Sequence, residues 1–448
     1  STAEIAIGPA VEPAIRELVD VQAQTLDRTV LVTWDSFGQY DRIEVYERCE
    51  LVAIIPGDST FWQHEFGYDG VFEFTLRAIR GALSTESAPV LTVVGPGAVR
   101  DIARLPDLHS PTDIATDGNG LFLVTDRRDR LVALLDENFV QVDTLPISED
   151  FLGDGDWVTG VATDGIRIYL YNLHTFSVAQ MDGLGGIERV FELRLPNLEE
   201  DPDEPPNRGL VVSMTYDAAG DGGNGALCLF ELFQRTVYEV DLQVRVLRSF
   251  PHPYIDVFPP EPGFVDPILA TAVGTVPGAP DELFLSGGIA GSPRQTHILR
   301  MSKTTGEIIT GSQMPLAAFV DETDISTVLF TAFSRDGEPR LAVLPFGDRR
   351  RQVLELEAGD ARISAPTFLR AQQRTYENIV TLEYFNENNF DAIEIARDCE
   401  SISTVAGTDT MFVDTTPPPG VRDYRVRCLL YTSPSPRDRG CSRMPSSA

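Results

Sequence analysis

Lysine is nearly missing from this chain. Of 36 basic residues set against 68 acidic ones, only Lys303 is not arginine, and the net charge is −32. A surface of that sign repels phosphate backbones and anionic lipid heads, so nucleic acid and membrane surfaces are disfavoured as partners. Arginine bias from a GC-rich genome, with selection for solubility, accounts for the pattern; a halophilic or marine setting would produce the same acidity. Cysteine is scarce as well: Cys49, Cys228, Cys399, Cys428 and Cys441 are too few and too scattered for a disulfide framework. No apolar run approaches the ~18 residues of a membrane span. No helix-period pattern of useful length occurs, which excludes a helical bundle. The chain opens at Ser1 with neither Met nor signal peptide, as expected of a processed chain or a fragment.

Catalytic signatures are missing too. No Gly-x-Ser-x-Gly is present, and Ser286-Gly-Gly-Ile-Ala-Gly-Ser292 lacks that spacing. Lys303 follows Met-Ser rather than glycines, so there is no phosphate loop. The histidines His64, His109, His174, His252 and His297 lie far apart, without the spacing of a zinc site. The sequence therefore offers no catalytic residue, and its binding residues stay unassigned.

What the chain does have is a repeat. Residues 28–78 and 378–428 align without a gap at an offset of 350, with 11 identities in 51 positions; roughly three are expected by chance from average composition. Tyr40-Asp-Arg-Ile-Glu-Val-Tyr-Glu-Arg-Cys-Glu50 lies over Phe390-Asp-Ala-Ile-Glu-Ile-Ala-Arg-Asp-Cys-Glu400, and Trp34 over Tyr384. Val30, Val32 and Trp34 alternate with polar residues, as do Ile43 and Val45, then Phe72, Phe74, Leu76 and Ala78. Period two with aromatic and β-branched residues predicts half-buried strands, and Pro56-Gly-Asp58 and Tyr68-Asp-Gly70 supply turns. The expected module is an antiparallel sandwich anchored on Trp34 or Tyr384. The second-strand Trp, the Tyr-Asp-x-Ile-Glu-Val-Tyr strand, the Gly-x-x-Thr turn and the Phe-x-Leu-Arg-Ala strand resemble fibronectin type III modules. The first copy is placed at 16–96, after a linker or domain end at 1–15. The second is placed at 363–428 and is expected to be incomplete, without its last strand. Cys49 and Cys399 share one module position and read as small strand-end residues. A bridge to Cys428 is open only to the second copy, because the first has Ala78 there.

The middle, 98–358, is also all strand. Pro111-Thr-Asp-Ile-Ala-Thr-Asp-Gly-Asn-Gly-Leu-Phe-Leu-Val-Thr-Asp126 is an apolar run, a turn and a second run; Arg130–Asp136 and Phe139–Leu145 follow. The cycle reopens at Val158, at Leu210, near Ile268 and near Thr327, spacings of 47 to 59 residues. Four-strand units at such intervals predict a β-propeller. Five blades are counted; six also fit, because the 250–270 stretch has room for strands. The last round holds three strands, so Val99–Arg104 is expected to supply its fourth and close the ring. The first unit resembles NHL-type propellers, with Pro-x-x-Ile-Ala-x-Asp followed by Leu-x-Val-x-Asp.

Acidic loops are the remaining candidates. Asp217, Asp221 and Asn224 could wrap calcium, although they stand where Asp117-Gly-Asn-Gly and Asp164-Gly stand in other units, which reads first as turn chemistry. Asp154-Gly-Asp156 and Glu199–Glu204 are read as solvated loops. Resemblance to gluconolactonase-type propellers would imply a metal-dependent hydrolase, with Asp113 and Asp126 among the ligands but no evident Glu and Asn partners. From Leu429 to Ala448 the chain resembles a translated sequencing adapter at the end of a metagenomic reading frame, and is expected to be disordered. The favoured function is a non-catalytic extracellular or cell-surface protein, with the periplasm as a further setting, that presents a propeller between spacer modules to a protein or glycan. The alternative is a lactonase or glycan-active hydrolase. The favoured reading needs no cofactor, with calcium at the Asp217 loop as the one option, and the alternative needs a central metal ion.

Overall fold

The computed structural model describes residues 15–429, except 154–156, 197–209, 254–271, 290–291, 310–313, 316–327, 346–350, 360–366, 375–378, 386–390 and positions 27, 37, 68, 233, 421 and 423. Several expectations therefore lie outside the described residues: the linker at 1–14, the acidic loops 154–156 and 199–204, the strands sought at 254–270, and the tail from 430. The chain is all-β and divides into two units, 1–98 and 99–448.

The first unit is a two-sheet sandwich. One sheet runs Val19–Leu26, Thr29–Asp35, Phe61–Glu65. The other runs Glu50–Pro56, Arg42–Glu47, Gly70–Arg80, with Leu83–Glu86 and Val90–Val94 both paired to the long strand. The alternating residues form its core: Val30, Val32, Trp34, Ile43, Val45, Phe72, Phe74, Leu76 and Ala78 are all buried in one cluster. Because every second side chain points the same way, the apolar set falls on one face of each strand.

The second unit contains five four-stranded antiparallel sheets. Their inner strands are Pro111–Thr116, Val158–Thr163, Val211–Asp217, Val273–Thr275 and Val328–Arg335. Each inner strand neighbours the next, and the fifth neighbours the first, so five blades form a closed β-propeller. The fourth inner strand is described from Val273 to Thr275; the expected opening near Ile268 lies outside the described residues. Among the described residues of the ring, a single-turn helix, Glu149–Leu152, and a tight turn at Gly220–Gly223, in which Asp221 and Gly222 take positive φ, stand between strands.

Neighbouring blades are fastened by side chains near the start of their inner strands. Thr112 donates to the Val158 carbonyl at 2.8 Å, and Thr159 donates to the Val211 carbonyl at 2.7 Å. Both threonines sit at a β-bulge, which turns their hydroxyls out of the ladder and toward the next blade. The ring closes through Val99–Arg104, which pairs with Gln352–Glu357 from Val99↔Leu356 to Arg104↔Gln352. Arg100 adds a 2.7 Å ion pair to Glu357. The fifth blade thus takes its outer strand from the segment before the first, which leaves its third strand no free edge.

A second sandwich follows, with strands Thr367–Arg374, Ile379–Phe385 and Met411–Asp414 in one sheet and Glu400–Ala406, Ala392–Arg397 and Tyr424–Leu429 in the other. Its core gathers Leu382, Tyr384, Ile393 and Ile395. The cysteines need correction: Cys49 and Cys399 are both disulfide-bonded rather than plain small residues, and Cys228 is free and buried.

Candidate functional site

The two ends of the propeller differ in loop length. Turns joining inner to second strands are short: 117–121, 164–167, 218–225, 276–281 and 336–337. At the opposite end the connections from outer strand to next inner strand include 105–110 and 147–157, while most of what separates these strands in the later blades lies outside the described residues. Long connections on a rigid ring are where binding residues concentrate.

At that end, Asp126 organises the first blade. Its carboxylate is buried and accepts four backbone N–H groups: His109 at 2.5 Å and Ser110 at 2.9 Å on one oxygen, Arg128 at 2.8 Å and Asp129 at 3.1 Å on the other. Two loops are thereby tied to one side chain. They present the His109 Nδ1 to Asp129 contact at 2.5 Å. Beside it the Arg127 guanidinium lies over the Trp157 ring, 2.9 Å from its centroid, and burial lowers the Arg127 pKa. Trp157 comes from the next blade and is partly exposed.

The position of Asp126 recurs around the ring. Asn172 accepts from the amides of His174 and Thr175 and donates to the Phe151 carbonyl. Glu231 accepts from Leu210 and Gln234, and Ser286 Oγ accepts from Ala272. A polar residue of the second strand opposite the start of the inner one is thus a loop fastener in four blades, and Asp126 is engaged as one.

Asp113 sits elsewhere, fully buried at the ring centre. One oxygen accepts from the amides of Val161 at 3.0 Å and Met214 at 3.2 Å, so one carboxylate joins the first blade to the second and third. Glycine at 160 keeps the second and third blades close, since a Cβ there would stand 3.2 Å from the Met214 Cβ. Desolvation pushes the Asp113 pKa well above the usual carboxylate range, against the pull of those amides. Asp113 and Asp126 therefore do not converge as metal ligands; each is engaged by backbone N–H groups.

The short-turn end holds the calcium candidates. Asp217 is buried, with one oxygen on the Ala219 amide and the other 2.5 Å from Lys303 Nζ, itself buried. Asn224 bonds to the Asp221 carbonyl at 2.8 Å on the turn. With both Asp217 oxygens engaged, this set does not suit a calcium ion, which wants six to eight oxygens. A different cluster appears there: single donor atoms of Asp217, Cys228 and Glu239 lie within 4.8 Å of one another, all buried. Two protein cations already serve it, Lys303 on Asp217 and Arg248 on Glu239 at 2.7 Å. Burial pushes the Cys228 thiol far up, with the two carboxylates adding to it, so it offers no thiolate. His252 is likewise structural: burial lowers its pKa to about 4, and its Nε2 meets the Ser286 carbonyl at 3.2 Å.

Much of the acidity is turn chemistry. Asp136, Asp182 and Asp241 each accept from the amides two and four residues on, at the same turn of three successive blades. Sequence reasoning missed His109, Arg127 and Trp157; the available signal was the run Arg127-Arg-Asp-Arg130 in an acidic chain.

No protein-family model matches the chain, and no curated protein sequence matches it. Solved structures with a similar fold include glutaminyl cyclase of Myxococcus xanthus, at 12% identity over 59% of this chain and 97% of that one, TM-score 0.38. Virginiamycin B lyase of Staphylococcus aureus matches at 12% identity over 76% of this chain and 94% of that one, TM-score 0.32. A β-propeller domain of Cps50 (Swd1) from Myceliophteria thermophila matches at 13% identity over 71% and 89%, TM-score 0.30. No helix among the described residues is long and apolar enough to cross a membrane.

Proposed function

We propose that this chain is a non-catalytic binding protein of the cell exterior, which presents the long-loop end of its propeller to a protein or glycan. In this reading the sandwiches are fibronectin type III-like spacers. One observation carries it: the carboxylates at the ring centre and at the strand ends, which a propeller hydrolase would turn toward a metal, are engaged by backbone amides through Asp113 and Asp126. The long-loop end meanwhile exposes aromatic and charged side chains on a fastened base. Such a base keeps the cost of ordering a binding surface low.

Metal analysis of the purified protein, combined with an esterase and lactonase panel, tests the proposal. The expected outcome is no stoichiometric metal and no turnover. Tightly held metal with turnover that a chelator abolishes would replace this reading with the hydrolase.

A further inference from the structure

Val99–Arg104, the strand that closes the ring, is also the strand joined to the first sandwich. That sandwich ends in Val90–Val94, and only residues 95–98 separate the two. The partner of the closing strand, Gln352–Glu357, is the last strand of the ring in chain order and leads on to the second sandwich at Thr367. Because the two strands are antiparallel, both links leave from the same end of one strand pair, at Val99↔Leu356. Residues paired in this way have Cα atoms about 5 Å apart. The two strands share in the core unequally. None of the six residues of Val99–Arg104 is buried, whereas four of the six of Gln352–Glu357 are. The closing strand is therefore a strap, held by a ladder of five residue pairs and by the ion pair of Arg100 with Glu357. That ion pair lies at the end from which both links leave.

We propose that this strap is a tension-release latch: a pull applied through the two flanking sandwiches peels Val99–Arg104 off Gln352–Glu357 and opens the propeller before any blade unravels. The latch works whatever the propeller binds. Tension entering at Val99 and leaving beyond Glu357 meets the pairs one at a time, Val99↔Leu356 first, instead of loading all five together. Each backbone hydrogen bond contributes little net stability, so a ladder loaded pair by pair yields at a lower force than one loaded along its length. Once the strap is off, the load passes to the seam between the fifth and first blades. Among the described residues that seam has no strand pairing. It includes the Phe333 ring against Phe122, 5.0 Å between centroids, and the bond from Arg335 to the Glu137 carbonyl. Thr367–Arg374 of the second sandwich also approaches Ser292–Ser302 of the fourth blade, again without strand pairing, so this contact too gives way ahead of a ladder. The closed ring holds its connecting loops in place, so their arrangement is present at rest and lost under load.

Single-molecule pulling on the full chain decides it. With handles at the two termini, the first large event is expected to be the propeller, a gain of roughly 900 Å for residues 99–357 at ~3.5 Å each. A click handle on an azide-bearing residue in place of Arg351, used with the N-terminal handle, loads the same ladder along its length. The rupture force should then rise by roughly twofold or more, because the five pairs share the load. Arg100→Ala should lower the rupture force in the terminal pull, whereas Arg104→Ala, at the far end of the strap, should leave it unchanged. Circular dichroism at rest should show both variants folded, and the two loading directions on the parent chain need neither of them. Sandwich unfolding ahead of the propeller, or equal forces in the two loading directions, would overturn the latch. An effect of Arg104→Ala as large as that of Arg100→Ala would do the same, since the strap would then not be peeling from its Val99 end.

Discussion

The two sandwiches share a backbone more closely than they share side chains. Each has a β-bulge at the same place, between Val45 and Tyr46 in one and between Ile395 and Ala396 in the other. Each turns through a left-handed residue just before or at its cysteine, Arg48 at φ 53° and Asp398 at φ 50°. The amide of the core aromatic donates to the same threonine carbonyl, Trp34 to Thr60 at 3.1 Å and Tyr384 to Thr410 at 2.9 Å. The polar anchors, by contrast, have moved. The first copy uses Arg28 and Asp69 at 2.8 Å; the second uses Arg397 at 2.5 Å and Tyr424 at 2.7 Å, both on Asp414. Outward residues diverge as well, since exposed Leu51 and Ile54 stand where the second copy has Ser401 and Thr404. Register and bulges tolerate little change, because a one-residue slip would turn the apolar face outward. Anchors and surface are replaceable.

The largest effect should come from the shared core. Trp34→Ala removes a side chain only 3% exposed and should cost about 3–5 kcal/mol, read by hydrogen exchange in the first sandwich. Tyr384→Ala should act alike in the second; a large effect in only one copy would break the equivalence.

Next comes the anchor that belongs to one copy. Asp414→Asn should destabilise the second sandwich by about 1–3 kcal/mol through lost charge-assisted hydrogen bonds, and should leave the first unchanged. Acid should act the same way. Desolvation raises the Asp414 pKa, but the Thr416 amide, the Tyr424 hydroxyl and Arg397 together hold it below the usual value. A depressed carboxylate contributes stability above its unfolded pKa and loses it as pH falls through the folded one, so the second sandwich should weaken in acid below about pH 4. The Asn variant should flatten that limb. At the basic end, desolvation and the Asp414 hydrogen bond raise Tyr424 to about 12. Its contribution is present below the unfolded value and is lost as pH rises through the folded one, so alkaline weakening should begin above about pH 10.

The smallest effect should come from the surface. Replacing Leu51 with Ser and Ile54 with Thr, the residues of the second copy, should change melting by no more than about 0.5 kcal/mol. It should reduce self-association measured by light scattering, because Glu50–Pro56 is an edge strand carrying exposed apolar residues.

Much of the fold was legible because β-structure writes its period into adjacent residues. Val30, Val32 and Trp34 show it locally, and the recurring inner strands and the three-stranded last round were enough to count five blades and require Val99–Arg104 as the missing partner. The fourth blade left the weakest trace, because the described part of its inner strand, Val273–Thr275, is only three residues long and carries little period. The chemistry was harder to read. Asp217 finds Lys303 86 positions away, and Asp113 finds Met214 at 101, so neither pairing leaves a local trace. Asp126 looked like a ligand because a fastener and a ligand are the same residue type until their hydrogen bonds are seen.

The closing strand has a consequence for how the ring is made. Arg104 emerges from the ribosome some 250 residues ahead of its partner Gln352. At ribosomal rates of about 5–20 residues per second, that is a delay of roughly 12–50 s. Throughout that interval the strand has no blade to join, and the growing ring has an open seam at each end. Closure must be late, it must join the two most distant segments of the propeller, and its rate should bear the entropy of that long loop. A nascent chain stalled before residue 352 is therefore a ring that cannot shut, the form of this molecule most in need of a chaperone.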